Sequence, residues 1–168
     1  MMRKKLLALL LSVLMIFSFN ACSDLLPSYH AKKEAKNYFN YLKNKDIKKL
    51  TRLFSDDVNE THDLEKEWDE FFSCIDGNIV SYEKISSGGE EEYIDHGKTT
   101  YYTIVINFVN VETDTGKTYE YISFSQTRAN KKHPENKGIN LFSIRLPADN
   151  DKGFEEKIVG EIMIYPDK

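Results

Sequence analysis

From residue 31 onward the apolar positions fall at Ala31, Ala35, Tyr38, Phe39 and Leu42, with Lys32, Lys33, Lys36 and Lys43 among them. This spacing puts the apolar side chains on one face of a helix and the lysines on the other. Asn44 and Lys45 break the pattern. Asp46 is placed to cap a second helix, whose shorter stripe is Ile47, Leu50, Leu53 and Phe54, ending near Ser55. The polar run over residues 56–61 predicts a loop. Leu64, Trp68, Phe71, Phe72 and Ile75 then repeat the spacing of the first helix, and Gly77 stops this third one.

After Gly77 the repeat shortens to two residues and β-branched side chains accumulate. Residues 79–85 read as a strand, followed by a polar loop over residues 86–92 that holds Gly88 and Gly89. Residues 99–111 carry the strongest strand pattern, and residues 119–127 are the hairpin partner across Asp114, Thr115 and Gly116. In the long strand Tyr102, Ile104, Ile106 and Phe108 share one side, and Tyr101, Val105 and Val109 the other, which predicts a central position covered by helices. An exposed turn over residues 131–137, with Pro134, leads into a strand over residues 139–146. Residues 149–153 form a loop, and residues 157–165 form either an edge strand or a segment returning over the helices, because Gly160 opposes a helix there. Helices first and a meander afterwards predict an α+β domain over residues 29–168: three N-terminal helices packed on a curved antiparallel sheet.

Composition supports one domain, since 168 residues with 40% hydrophobic and 12% aromatic side chains suit a single core. Ahead of it, Arg3, Lys4 and Lys5 precede an apolar run at residues 6–19. About 14 residues is the length of a signal-peptide core and falls short of the roughly 20 that span a bilayer. The run ends at Asn20, Ala21 and Cys22, a small residue followed by a cysteine. This stretch resembles the lipobox of bacterial lipoproteins, with Phe19 and Asn20 standing where leucine and a small residue are usual. The resemblance implies that residues 1–21 are a signal peptide and that Cys22 is alkylated by diacylglycerol and becomes the first mature residue. Residues 22–28 are then a short tether on the outer face of the cell membrane. Two acyl chains, at about 0.8 kcal/mol per buried CH₂, anchor stably where one does not.

Removing residues 1–21 takes the net charge from −4 to −7. That leaves no basic face to displace phosphate counterions and argues against nucleic acid as a partner. It also predicts that anchoring depends on acyl chains rather than on attraction to anionic lipid. The six residues between Cys22 and Tyr29 span about 20 Å at most, so the domain is expected to work close to the bilayer. With Cys22 lipidated, Cys74 has no disulfide partner, and its place among Phe71, Phe72 and Ile75 predicts a buried structural thiol.

The segment Asn44, Lys45, Asp46, Ile47, Lys48, Lys49, Leu50, Thr51, Arg52, Leu53, Phe54, Ser55 follows an apolar helix and precedes a third one. In this the chain resembles the nuclear transport factor 2-like (cystatin-like cone) superfamily. Adding the leader and the hairpin sequence Thr113, Asp114, Thr115, Gly116, Lys117, Thr118, Tyr119, it is similar to a family of uncharacterised Gram-positive lipoproteins classed as a domain of unknown function. The resemblance spans roughly residues 29–146 and implies the fold more than any activity.

Motifs with chemical meaning are few. Gly97-Lys98-Thr99 and Gly116-Lys117-Thr118 imitate the end of a phosphate-binding loop, but the glycine required five residues before the last one is Glu92 or Val111, and neither segment precedes a helix. The run at residues 149–153 starts like a calcium loop, yet its sixth position is Phe154 and its twelfth Gly160. His30, His62, His96 and His133 are too dispersed for metal-ligand spacing, so no metal or other cofactor is implied. Asn59-Glu60-Thr61 matches a glycosylation sequon, without meaning behind a bacterial lipobox.

Enzymes of the resembled superfamily place an ionisable side chain inside a cone between sheet and helices. Pocket-lining candidates here are Trp68, Tyr101, Tyr102, Tyr119 and Tyr121, with Glu120 as a carboxylate on the opposite strand face from Tyr119 and Tyr121; for each aromatic, core packing is the competing account. None forms a base with an orienting partner. Two classes of function therefore stand. The first is a lipid-anchored, noncatalytic module that binds a small apolar ligand, a peptide or another envelope protein near the membrane. The second is a small cofactor-independent isomerase, dehydratase or hydrolase. The absence of an acid–base set in the sequence favours binding.

Overall fold

The computed structural model describes residues 27–146 and 155–161. Cys22, the leader, most of the tether, the loop at residues 149–153 and the chain beyond Glu161 lie outside the described residues. The described chain forms helices α1 (Pro27–Lys43), α2 (Ile47–Thr51), α3 (Asp56–Thr61) and α4 (Leu64–Ser73). Six strands follow: β1 (Ile79–Ser81), β2 (Lys84–Asp95), β3 (Lys98–Thr113), β4 (Thr118–Asn130), β5 (Gly138–Leu146) and β6 (Glu155–Val159). The strands make one curved antiparallel sheet in the order β1, β3, β4, β5, β6, with β2 on the same edge of β3 as β1. This is the expected α+β architecture, with four described helices instead of three.

The extra helix is α3, where the polar run predicted a loop. Ser55 starts it by accepting a hydrogen bond from Val58 N at 3.4 Å, Asp56 and Asp57 sit at its positive end, and Val58 is its buried contact. One apolar residue in six is too few to produce a periodic signal. The second correction concerns residues 79–95. The predicted strand is divided into β1 and β2, and the predicted polar loop is strand: β2 pairs with β3 from Lys84 opposite Val109 to Asp95 opposite Lys98, with an irregularity between Ser87 and Gly89. An edge strand exposed along most of its length has no buried face to write an alternating pattern, and its glutamates suit an edge.

The core lies between the helices and one face of the sheet. Ala31, Ala35, Tyr38, Phe39 and Leu42 of α1 are buried, as expected. The Phe39 ring packs 4.4 Å from Tyr82 and 5.3 Å from Phe108, and Trp68 is surrounded by Phe54, Phe71, Phe72 and Phe142 at 5.1 to 6.1 Å. In β3 the buried positions are even from Tyr102 to Phe108 and odd from Val111 to Thr113; the phase changes at Asn110, whose φ is 51°.

Helices and sheet are joined by backbone at one point. Ser55 N donates to the Ile139 carbonyl at 2.9 Å, and Ile139 N donates to the Leu53 carbonyl at 2.8 Å, a parallel bridge between Phe54 and Ile139. Gly138 makes the approach feasible: its φ is +135°, and a Cβ there would lie 2.7 Å from Ser55 N. Of the tail, Glu155–Val159 take the edge-strand alternative. β6 pairs antiparallel with β5, Lys157 Nζ contacts Glu70 at 2.9 Å, and Gly160 N donates to Glu67 at 2.6 Å.

Candidate functional site

The face of the sheet away from the core carries an open groove of about 420 Å³, lined by Gly88, Val105, Asn107, Tyr121, Ser123, Ser125, Leu141, Ser143 and Glu156. Period-two alternation builds it. In β4, Ile122 and Phe124 point into the core, so Tyr121, Ser123 and Ser125 point out; Asn107 lies opposite Ser123, and Ser143 lies opposite Ser123 from the other side. Small side chains on three adjacent strands leave a hollow with a floor of hydroxyls. Ser123 and Ser143 are buried, and Ser123 Oγ donates to Asn107 Oδ1 at 2.8 Å. One rim is aromatic and charged: the Arg145 guanidinium lies 4.4 Å from the Tyr121 ring centre, contacts Glu120 at 3.4 Å, and sits opposite Glu156 in the ladder. Hydroxyls, an amide, a stacked ring and two apolar walls can hold an amphiphilic ligand by hydrogen bonds and contact area.

Of the pocket-lining candidates, Tyr121 alone lines this groove. Trp68 is fully buried in the aromatic cluster. Tyr119 is also buried, and its hydroxyl ties the end of α4 to the sheet by accepting from Asp76 N at 2.8 Å and donating to the Cys74 carbonyl at 3.4 Å. Tyr119 and Tyr121 thus end in different environments, because the inward alternation of β4 changes phase between Tyr119 and Ile122; Glu120 is exposed. Tyr101 and Tyr102 are buried at the start of β3. Burial raises the Tyr101 hydroxyl, and burial with a hydrogen bond to Glu90 pushes Tyr102 up to about 12. Cys74 is half-buried rather than buried: it caps α4, and its thiol faces the Glu70 carbonyl at 3.4 Å. The groove serines form no motif in the sequence; alternation with Ile122 and Phe124 marks Ser123 and Ser125 as outward, and pairing with Asn107 and Ser143 on the neighbouring strands makes the floor.

A charged cluster with no signature in the sequence lies on the helix-covered side. Arg128 grips both carboxylate oxygens of Glu34, at 2.9 and 3.2 Å, and donates to Gln126 at 3.1 Å; Tyr38 donates to Glu34 at 3.3 Å. The guanidinium's hydrogen bond holds the Glu34 carboxyl below its usual value and keeps Arg128 raised, while burial pushes Tyr38 up to about 12. Each of these groups is engaged by another, so the cluster fastens α1 to β4. Both Gly-Lys-Thr segments are turns entering strands, and Lys117 Nζ lies over the Tyr119 ring at 5.5 Å. Among the described residues no group of three His, Cys, Asp or Glu side chains is placed to hold a metal ion.

The fold and groove define a small α+β domain with an aromatic core beneath its helices and a polar groove on the open face of its sheet. Residues 37–155 match the domain of unknown function DUF5104, and the chain belongs to that family. No curated protein matches it.

Proposed function

We propose that the protein is a bacterial lipoprotein held through Cys22 on the extracytoplasmic face of the cell membrane, and that its nuclear transport factor 2-like domain is a noncatalytic binding module acting near the bilayer. The observation that carries the binding half is the groove of about 420 Å³ on the open sheet face, where Tyr121, Leu141 and the serine floor offer area and hydrogen bonds together. On the helix-covered side, where enzymes of the resembled superfamily keep an ionisable group, rings fill the core, and Glu34 and Arg128 at its margin bind each other. Among the described residues, the buried polar side chains other than tyrosine and tryptophan are Ser, Thr and Asn, none of which is an acid or base at neutral pH. The groove's polarity moves the ligand class from apolar to amphiphilic, a small molecule or a segment of another envelope protein. The leader sequence before Cys22 supports the anchoring half.

A photo-crosslinking amino acid at Leu141 tests binding in cells, with the same group at Lys36 on the exposed helix face as control. Adducts formed from Leu141 and abolished by Ser125→Trp, which fills the groove, are expected; equal adducts at both positions would count against the groove. For anchoring, Cys22→Ala is expected to leave the membrane fraction or persist as precursor, and the native amino terminus should carry a lipid-modified cysteine by mass spectrometry. An unmodified Cys22 would sink that half.

A further inference from the structure

We infer that the groove on the open sheet face takes a neutral glycan, and that its floor seats the acetamido group of an N-acetylated amino sugar. This rests on the binding reading above and names its ligand. The floor belongs to the interior of the sheet. Ser123 and Ser125 of β4 lie between partners on both sides, Asn107 and Val105 on β3 and Ser143 and Leu141 on β5. Ladder pairing occupies the backbone of such a strand, so an extended peptide finds no free main-chain edge here and recognition falls to side chains. The row of Asn107, Ser123 and Ser143 crosses about 10 Å of sheet, and the row of Val105, Ser125 and Leu141 lies about 7 Å further along the strands.

These side chains keep bonding capacity to spare. Ser123 Oγ donates to Asn107 Oδ1 at 2.8 Å, which fixes the amide and leaves Nδ2 as its donor. Among the described residues no group pairs with Asn107 Nδ2 or with the hydroxyls of Ser125 and Ser143. Gly88 keeps the donor uncovered. It sits at the irregularity of β2 between Ser87 and Gly89, and its φ is not positive, so the backbone does not call for glycine there. A Cβ at this position would stand 2.9 Å from Val105 Cγ1 and 3.0 Å from Asn107 Nδ2. What glycine supplies at this position is space above the amide.

The chemistry of these groups selects the ligand. A hydroxyl both donates and accepts, so a floor of hydroxyls suits a molecule whose own groups do the same at close spacing, as those of a sugar ring do. Asn107 Nδ2 only donates, and the methyl groups of Val105 and Leu141 stand in the neighbouring row. A carbonyl that takes the amide proton, a methyl group for the apolar row and an N–H for a serine oxygen are together an acetamido group. Charge favours a neutral ligand. The floor carries none, and at the rim Arg145 is already held by Glu120 and the Tyr121 ring, with Glu156 opposite it, so an anionic group would meet two carboxylates beside one engaged guanidinium. A volume of about 420 Å³ is at the lower end for ligand sites and suits one or two sugar rings, and the open groove lets a longer glycan run on past them.

The test uses the full chain, produced in a bacterium and purified in a detergent without sugar headgroups. The probes are chitotriose, three linked N-acetylglucosamine residues, and cellotriose, the same glucose backbone without acetamido groups. Calorimetric titration should find chitotriose bound at least tenfold more tightly than cellotriose, and saturation transfer should reach its acetyl methyl protons most strongly. Asn107→Asp keeps an acceptor for Ser123 and removes the donor; Gly88→Ala covers the donor. Each should weaken chitotriose at least tenfold with the circular dichroism spectrum unchanged, and Asn107→Asp decides alone if Gly88→Ala does not fold. Equal affinity for the two sugars, or chitotriose binding untouched by these substitutions, overturns this inference. Failure of both sugars to bind, with the Leu141 adducts in cells still formed and still abolished by Ser125→Trp, overturns this inference and leaves the binding reading standing. Loss of sugar binding and of the adducts together overturns both.

Discussion

Adding one methyl group at Gly138 tests how the helices are joined to the sheet. A Cβ there would stand 2.7 Å from Ser55 N and 2.9 Å from both the Phe54 carbonyl carbon and Ser55 Cα, so the obstructing atoms are backbone and cannot rotate away. The backbone at φ +135° adds a conformational penalty of about 1 to 3 kcal/mol for any residue with a side chain. Overpacking adds about 1 to 3 kcal/mol, because relief means lengthening the Ser55–Ile139 and Ile139–Leu53 hydrogen bonds. Gly138→Ala should therefore destabilise the domain by about 2 to 6 kcal/mol, a large part of the roughly 5 to 15 kcal/mol typical of a domain. Gly97→Ala is the control: its φ is +72°, but nothing lies within 4 Å of the added atom, so about 1 to 2 kcal/mol of backbone strain is all it should cost. Urea unfolding read by Trp68, the single tryptophan and fully buried, measures both. If Gly138→Ala costs no more than Gly97→Ala, the close approach is not the constraint described here.

Trp68→Ala should cost about 3 to 5 kcal/mol by urea unfolding, as expected for a large ring removed from a packed aromatic cluster; a change below about 1 kcal/mol would contradict its burial. Because the Arg128 hydrogen bond holds the Glu34 carboxyl below its usual 4.5, its contribution to stability is present above pH 4.5 and is lost as pH falls through the lower folded value. Glu34→Gln should flatten that acid-side loss in a stability–pH series, and an unchanged acid limb would refute it. Tyr38 and Tyr102 should ionise near 12 in the folded protein, so a spectrophotometric titration should show tyrosine absorbance still rising well above the value of about 10 for an unperturbed phenol. Neither Gly-Lys-Thr turn should bind nucleotide; ATP or GTP binding lost on Lys98→Ala or Lys117→Ala would overturn the assignment of both as turns.

Elements with one buried face were readable in the sequence. Helices α1 and α4 and strands β3, β4 and β5 each place apolar residues at their own period, and the structure has them within a few residues of the predicted bounds. Elements without such a face were not. α3 depends on the Ser55 cap and one valine, and β2 exists because β3 offers it a ladder. The groove shows the same limit from another side. Its serines are ordinary outward positions when β4 is read alone, and they become a floor only when Asn107 and Ser143 arrive on neighbouring strands. Tyr119 and Tyr121 look equivalent two residues apart, and the change of phase in β4 sends one inward and leaves the other at the groove.

The bridge between Phe54 and Ile139 also bears on the order of folding. Most of the sheet forms between neighbours in sequence, so hairpins can close early over short loops, whereas this bridge joins positions about 85 residues apart. Closing a loop of that length costs about 4 kcal/mol of chain entropy beyond the constant term. Until β5 is present, Phe54 lacks its bridge partner Ile139 and the Phe142 ring beside it. A nascent or proteolysed chain ending before Gly138 would therefore carry helices with an uncovered apolar side, and sensitivity to chaperones and proteases should fall abruptly when β5 is added.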